Sequence, residues 1–146
     1  MSFYKSQIKD LIERTLKEYG LYSEAATNLL LGTAAQESSF GKYLRQLNNG
    51  PALSIFQIER PTFNWLKDTF KKKFKLDDVE FEEIEWNLKK AIVFCRLRYF
   101  VVPHPLPDAD DINALAAYWK KYYNTALGAG KIEEFISNYK KYVEGK

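Results

Sequence analysis

In the stretch TNLLLGTAAQESSF, residues 27–40, helical periodicity turns Glu37 toward a side that otherwise carries small and apolar residues. Partial burial and the negative end of a helix macrodipole both disfavour a charged carboxylate. The pKa of Glu37 is therefore expected to rise above the usual value of about 4.3. Such a group is suited to general acid chemistry near neutral pH. The competing reading is structural: Glu37 as a helix cap, or as the ion-pair partner of Arg45 or Arg96. Other chemistries are poorly supplied. One cysteine, Cys95, excludes an internal disulfide, and with one histidine, His104, it leaves no conventional zinc site and few routes to a nucleophile-histidine triad. No metal and no cofactor is expected.

The elements that position Glu37 read as helices. Phe3, Ile8, Leu11, Ile12, Leu16 and Tyr19 recur at three- and four-residue steps with Lys5, Lys9, Glu13 and Lys17 between them, an amphipathic helix that ends at Gly20. Ser23 is the N-cap expected for a second helix through Ala26, Leu29, Leu30, Thr33, Ala34 and Glu37, with Gly41 as its stop. Asn48-Asn49-Gly50-Pro51 marks an irregular loop from Gly41 to Pro61, and Pro61 suits the first position of a third helix bearing Phe63, Leu66 and Phe70. A fourth helix, capped by Asp77 or Asp78, is expected from about Glu80 to Val101 and is apolar on most sides from Leu88 to Phe100. Pro103, Pro105 and Pro107 make an extended linker. A fifth helix then runs from Ile112 to about Tyr122 behind Asp108 to Asp111, and a last one through Ile132, Phe135, Ile136, Tyr139 and Tyr142 follows the Gly128-Ala129-Gly130 turn. No alternating strand of useful length is present. The expected fold is all-α, a single domain over residues 1–146 with about six helices packed around a central buried fourth.

Composition narrows the class further. At 146 residues with 46% apolar and 28% charged side chains, the chain suits one soluble globular domain. Three Trp, ten Tyr and ten Phe are many for that size, and suit either an aromatic core or a sugar-stacking groove. A net charge of +3 names no partner. The polar start MSFYKSQIKD has no secretory pattern and no unbroken apolar stretch reaches ~18 residues, so a chain made in the cytoplasm, without membrane insertion, is expected.

Glu37-Ser38, followed by a loop ending in Ser54-Ile55-Phe56-Gln57-Ile58, resembles the Glu-Ser and Gly-Leu-Met-Gln-Ile signature of soluble lytic transglycosylases, members of the lysozyme-like superfamily. Trp86-Asn87-Leu88 is similar to the start of that family's central helix, and Ala114-Leu115-Ala116-Ala117-Tyr118 to its Ala-Ala-Tyr-Asn segment. The four segments keep the family's order from about Leu29 to Gly130. Ser54 and Phe56 stand where the family has Gly and Met, and Trp119 where Asn follows the Tyr. Tyr122-Tyr123-Asn124 offers a second Tyr-Asn pair a turn later, so Tyr118 is favoured for the site and Tyr123 kept as the alternative. The small size, the lack of a signal peptide and the Tyr-Tyr-Asn-Thr ending resemble phage-encoded members, which act in virions or during lysis.

The resemblance implies cleavage of the β-1,4 bond between N-acetylmuramic acid and N-acetylglucosamine in peptidoglycan by a monomer, at the cell wall, with virion components as further expected partners. Glu37 would protonate the leaving oxygen and then, charged, deprotonate the sugar's own 6-hydroxyl to close a 1,6-anhydro ring. Hydrolysis would instead need a second carboxylate, roughly 5 Å away for retention or 6.5–9.5 Å for inversion; Glu59 is the nearest in sequence, and more simply a solvated residue beside Arg60. By type, Ser38 can bond substrate or backbone, Gln57 can bond an N-acetyl group, Glu37 or its own loop, and Tyr118 can bond Glu37 or sugar, or pack in the core. Phe56 is expected on the wall of the sugar groove, with Tyr123 and Asn124 as further substrate contacts. Trp65, Trp86 and Trp119 are expected to pack. A trough for a glycan strand should lie beside Glu37.

Two other classes of function are open to such a chain. The run Lys71-Lys72-Lys73-Phe74-Lys75 is basic, but Asp77, Asp78, Glu80, Glu82, Glu83 and Glu85 follow at once and cancel its field, so no nucleic acid is expected. A non-catalytic virion protein that keeps a lysozyme-like fold is the stronger competitor.

Overall fold

The structure, a computed structural model, describes residues 3–125 and 128–145. Six α-helices account for the architecture: α1 (Lys5–Glu18), α2 (Glu24–Ser38), α3 (Arg60–Phe74), α4 (Leu88–Phe100), α5 (Ile112–Trp119) and α6 (Ile132–Asn138). The protein is all-α, with two isolated β-bridges, Arg45 to Leu53 and Leu53 to Ile58, as its extended pairing among the described residues. No helix of the described residues is long and apolar enough to cross a membrane.

Ser23 caps α2 as its residue type predicts, its hydroxyl accepting from the Ala26 amide at 3.0 Å. The stop of α2 is sharper than one glycine: Ser39, Phe40 and Gly41 are all left-handed, with φ of 52°, 59° and 82°. Gly41 is required there twice over, by its positive φ and because a Cβ would collide with the Phe3 ring. This reversal folds the following loop back against the end of α2.

The expected fourth helix is two elements. A 3₁₀ turn, Phe81–Glu85, precedes α4, and Asn87 separates them. The Asn87 side chain accepts from the Lys90 amide at 3.1 Å and donates to Glu83 at 2.8 Å, so it caps the new helix and braces the old turn. Asp77 and Asp78 therefore cap nothing in α4. Nor is α4 alone at the centre. Between them α2 and α4 carry Leu29, Leu30, Leu31, Ala34 and Ala35 against Ile92, Val93, Phe94, Cys95 and Leu97, all inaccessible, and each packs on α1 and on the other. Both lack an exposed face because neighbours cover them all round.

The aromatic excess lies mainly in this core. Phe63 stacks on Phe94 at 4.4 Å and meets Phe81 edge-on at 5.5 Å, while Trp119 packs on Phe135 at 5.3 Å. Trp65 and Trp86 depart from the expectation that they pack: they are 49% and 68% exposed. Gly32 explains how α6 approaches α2 so closely, since a Cβ there would meet the Phe135 ring.

Helices α5 and α6 each run on into a π-helical turn, Lys120–Asn124 and Tyr139–Val143. Asp111 caps α5 by accepting from the Ala114 amide at 3.0 Å. Along α5 and its extension, residues four apart share a face. Tyr118 and Tyr122 look one way, toward His104; Trp119 and Tyr123 look the other, toward the end of α2 and its loop.

Candidate active site

Glu37 sits in the last turn of α2, half-buried. Its Oε2 accepts a hydrogen bond from Trp119 Nε1 at 3.0 Å. Burial raises its pKa from 4.5 to about 7, and the indole bond, which favours the charged form, offsets part of that rise. No cation among the described residues forms an ion pair with it. Arg45 pairs with Glu85 at 2.9 Å, and the buried Arg96 donates to the Leu21 carbonyl at 3.0 Å, so both structural partners considered for Glu37 are engaged elsewhere. The Glu37 carbonyl, one of the helix-end acceptors that α2 leaves unpaired, receives the Tyr43 hydroxyl at 3.0 Å. Burial first, and the Glu37 charge second, push the Tyr43 phenol up.

The Ser38 side chain has a different task from substrate binding. It is wholly inaccessible; its hydroxyl donates to the Ile55 carbonyl at 2.6 Å and accepts from the Gly41 amide at 2.9 Å. Ser38 thus staples the end of α2 to the 53–58 loop. That loop is more ordered than its breaker-rich sequence suggests: Leu53 and Ile58 exchange backbone bonds of 2.9 and 2.8 Å, and Ser54 N donates to the Leu44 carbonyl at 2.8 Å. Ser54 stands at φ 83°, a conformation that favours glycine, and its hydroxyl compensates by accepting from the Phe56 amide at 3.0 Å.

Phe56 is fully buried, so it belongs to the core and not to a groove wall. Its carbonyl accepts from the Tyr123 hydroxyl at 2.7 Å. Tyr123 stacks on Tyr99 at 5.2 Å, and its phenol is pushed well up by burial, with Cys95 and the Glu37 charge adding to the effect. Tyr118 points its hydroxyl at the His104 carbonyl, 3.0 Å away. Of the two tyrosines left open by the sequence, Tyr123 is the neighbour of Glu37, and the hydrogen-bonding role expected of Tyr118 falls to Trp119. Asn124 accepts from Lys120 Nζ at 2.7 Å; the same ammonium donates to the Gly128 and Gly130 carbonyls at 3.0 and 2.6 Å. Asn124 is therefore a loop clamp. The clamp holds Gly130 so near the Trp119 indole that a Cβ would lie 2.7 Å from its ring.

Gln57, at φ 53°, donates from Nε2 to the Ser54 carbonyl at 2.9 Å and borders a small hollow with Ile58, Glu59, Thr62, Arg98 and Tyr123. The hollow holds about 90 Å³, against the roughly 300 Å³ at which ligand pockets begin, and Glu37 does not line it. It is the size of a substituent and not of a sugar strand. A larger depression, about 550 Å³ beside Asp108, Asp110 and Lys140, includes none of the candidate site residues. Glu59 is exposed at the rim of the small hollow. No group of three or more histidine, cysteine or acidic side chains able to hold a metal ion occurs among the described residues.

Trp119, Tyr43, Lys120 and Arg98 were not foreseen as part of this neighbourhood. The signal for Trp119 was available: a buried indole needs an acceptor for its N–H, and Trp119 lies four residues before Tyr123 on one helical face. Comparison of the chain with protein-family models, with curated proteins and with solved structures gives no match.

Proposed function

We propose that the protein cleaves a glycan by acid/base catalysis at Glu37, with peptidoglycan as substrate and the MurNAc-GlcNAc β-1,4 bond as target. The observation that carries this reading is a carboxyl group whose pKa is pushed to about 7, bonded by an indole N–H and unpaired with any cation of the described residues. Near neutral pH such a group gives up and takes back a proton with similar ease, which the two halves of a transglycosylase reaction both need. The sequence resemblance to lytic transglycosylases supplies the substrate. The left-handed backbone at Ser54, where that family has glycine, is compatible with it. In this reading Glu37 protonates the leaving oxygen, then accepts the proton of the 6-hydroxyl as the anhydro ring closes. Hydrolysis is the second reading, and it needs a second carboxylate beside Glu37; Glu59, exposed at the rim of the small hollow, is the nearest in sequence. The phage association rests on the resemblance alone.

A non-catalytic scaffold is the alternative. The small volume of the hollow and the commitment of Ser38 and Phe56 to packing favour it. Clearing of peptidoglycan by the wild-type chain and by Glu37→Gln separates the two. Catalysis predicts clearing by the wild type and a loss of at least about 100-fold in the variant, within the range for removing a general acid. Equal clearing removes Glu37 from the chemistry, and no clearing by either protein favours the scaffold. Mass analysis of the released muropeptides then distinguishes anhydro products, one water lighter, from hydrolytic ones.

A further inference from the structure

We infer that Arg98 is the receptor for a carboxylate group carried by the substrate, bound in the small hollow between the start of α3 and the end of α4. The inference rests on the glycan-cleaving reading above and adds the chemical class of the group recognised. Arg98 is half-buried and borders the hollow, yet its guanidinium makes no hydrogen bond, ion pair or ring contact with any described residue. The other arginine near this end of α4 is engaged: Arg96 donates to a backbone carbonyl and lies over the Phe100 ring. A half-buried guanidinium with no partner among the described residues keeps its donors for a ligand, and a bidentate carboxylate matches its paired N–H geometry.

The rest of the wall agrees in character. The Thr62 hydroxyl, also half-buried, has no partner among the described residues, and Gln57 uses one amide hydrogen on Ser54 and retains the other. Three donor-bearing side chains therefore border a volume of about 90 Å³, suited to a carboxylate and its stem. Glu59, exposed at the rim, adds a negative charge that an entering anion must pass, a repulsion greater for phosphate than for a single carboxylate. Tyr123, whose phenol feels the Glu37 charge, also lines the hollow.

Two sources carry this group: the lactyl ether of a peptide-free muramic sugar, and the peptide attached to that ether. The test measures binding of N-acetylmuramate, N-acetylglucosamine and inorganic phosphate to the wild-type chain by NMR titration. It also measures clearing of peptide-bearing and peptide-free strands. Arg98→Gln and Arg98→Lys are compared with the wild type, with thermal melts to confirm folding. The expected result is that the wild type prefers N-acetylmuramate to N-acetylglucosamine by about tenfold or more, as a hydrogen-bonded charge pair implies. The preference vanishes in Arg98→Gln and is weakened in Arg98→Lys, which keeps the charge but loses the fork. Faster clearing of peptide-free strands assigns the lactyl carboxylate; faster clearing of peptide-bearing strands assigns the peptide. An unchanged preference in Arg98→Gln, no preference in the wild type, or phosphate binding as tightly as muramate overturns the inference. Because binding is read without turnover, a wild type that binds muramate through Arg98 but clears no wall sinks the catalytic reading and leaves Arg98 standing. Clearing that is indifferent to Arg98 does the reverse.

Discussion

The Trp119 indole donates to the Glu37 carboxylate across 3.0 Å, joining residues 82 positions apart and holding the end of α2 against α5. The bond favours the ionised carboxylate while burial favours the neutral one, and the balance sets the pKa at about 7. Replacing Trp119 by Phe removes the donor but retains an aromatic ring, so the Glu37 pKa should rise further. The alkaline limb of a clearing-rate profile moves upward by about one pH unit, the size expected for a hydrogen bond to a charged group. A limb that stays in place shows that the indole has no bearing on the proton.

Glu37 also makes stability depend on pH. Its folded pKa lies above its unfolded value of 4.5, so between these pH values the native state binds the proton more readily and stability falls as pH rises from 4.5 to 7. Above 7 the charged carboxylate costs roughly 3 to 3.5 kcal/mol, the free-energy equivalent of the shift. Glu37→Gln, neutral at every pH, should melt several degrees above the wild type at pH 8 and close to it at pH 4. Parallel melting curves across that interval contradict the assignment.

The two tyrosine hydroxyls make a matched pair of controls. Tyr118→Phe and Tyr123→Phe each leave one backbone carbonyl, of His104 or of Phe56, without its donor, and each should cost about 1 kcal/mol in urea unfolding. Only Tyr123→Phe should also change the clearing rate or its pH profile, since Tyr123 alone of the two feels the Glu37 charge. An effect of Tyr118→Phe on the pH profile would reverse that order.

Ser38→Ala should act on stability before chemistry. It leaves the Ile55 carbonyl and the Gly41 amide without their partner inside the protein, a loss of about 2 to 4 kcal/mol. Unfolding midpoints measure this directly, and under conditions where the variant is folded KM should be unaltered. A raised KM with unchanged stability assigns Ser38 to substrate instead.

The helices were legible because their signals are local. Ser23 and Asp111 cap where their side chains allow, Pro61 lies in the first turn of α3, and the periodicity of residues 3–19 survives as α1. The fourth helix was misread because Asn87 carries two competing local bonds that apolar periodicity does not register. Glu37 was legible as an acid at odds with its neighbours. The indole N–H of Trp119 signals that it needs an acceptor, but which acceptor it meets, and that Tyr123 holds the Phe56 carbonyl, follows only from positions in space.

Residue order along the chain thus dictates an all-helical protein with one inward-facing carboxyl group, because helix periodicity and capping act over three or four residues. Which arginines are neutralised, which tyrosine stands beside the acid, and that Ser38 and Phe56 serve packing were settled by tertiary assembly alone. Those outcomes depend on contacts between residues 17 to 82 positions apart, and no local rule reaches that far.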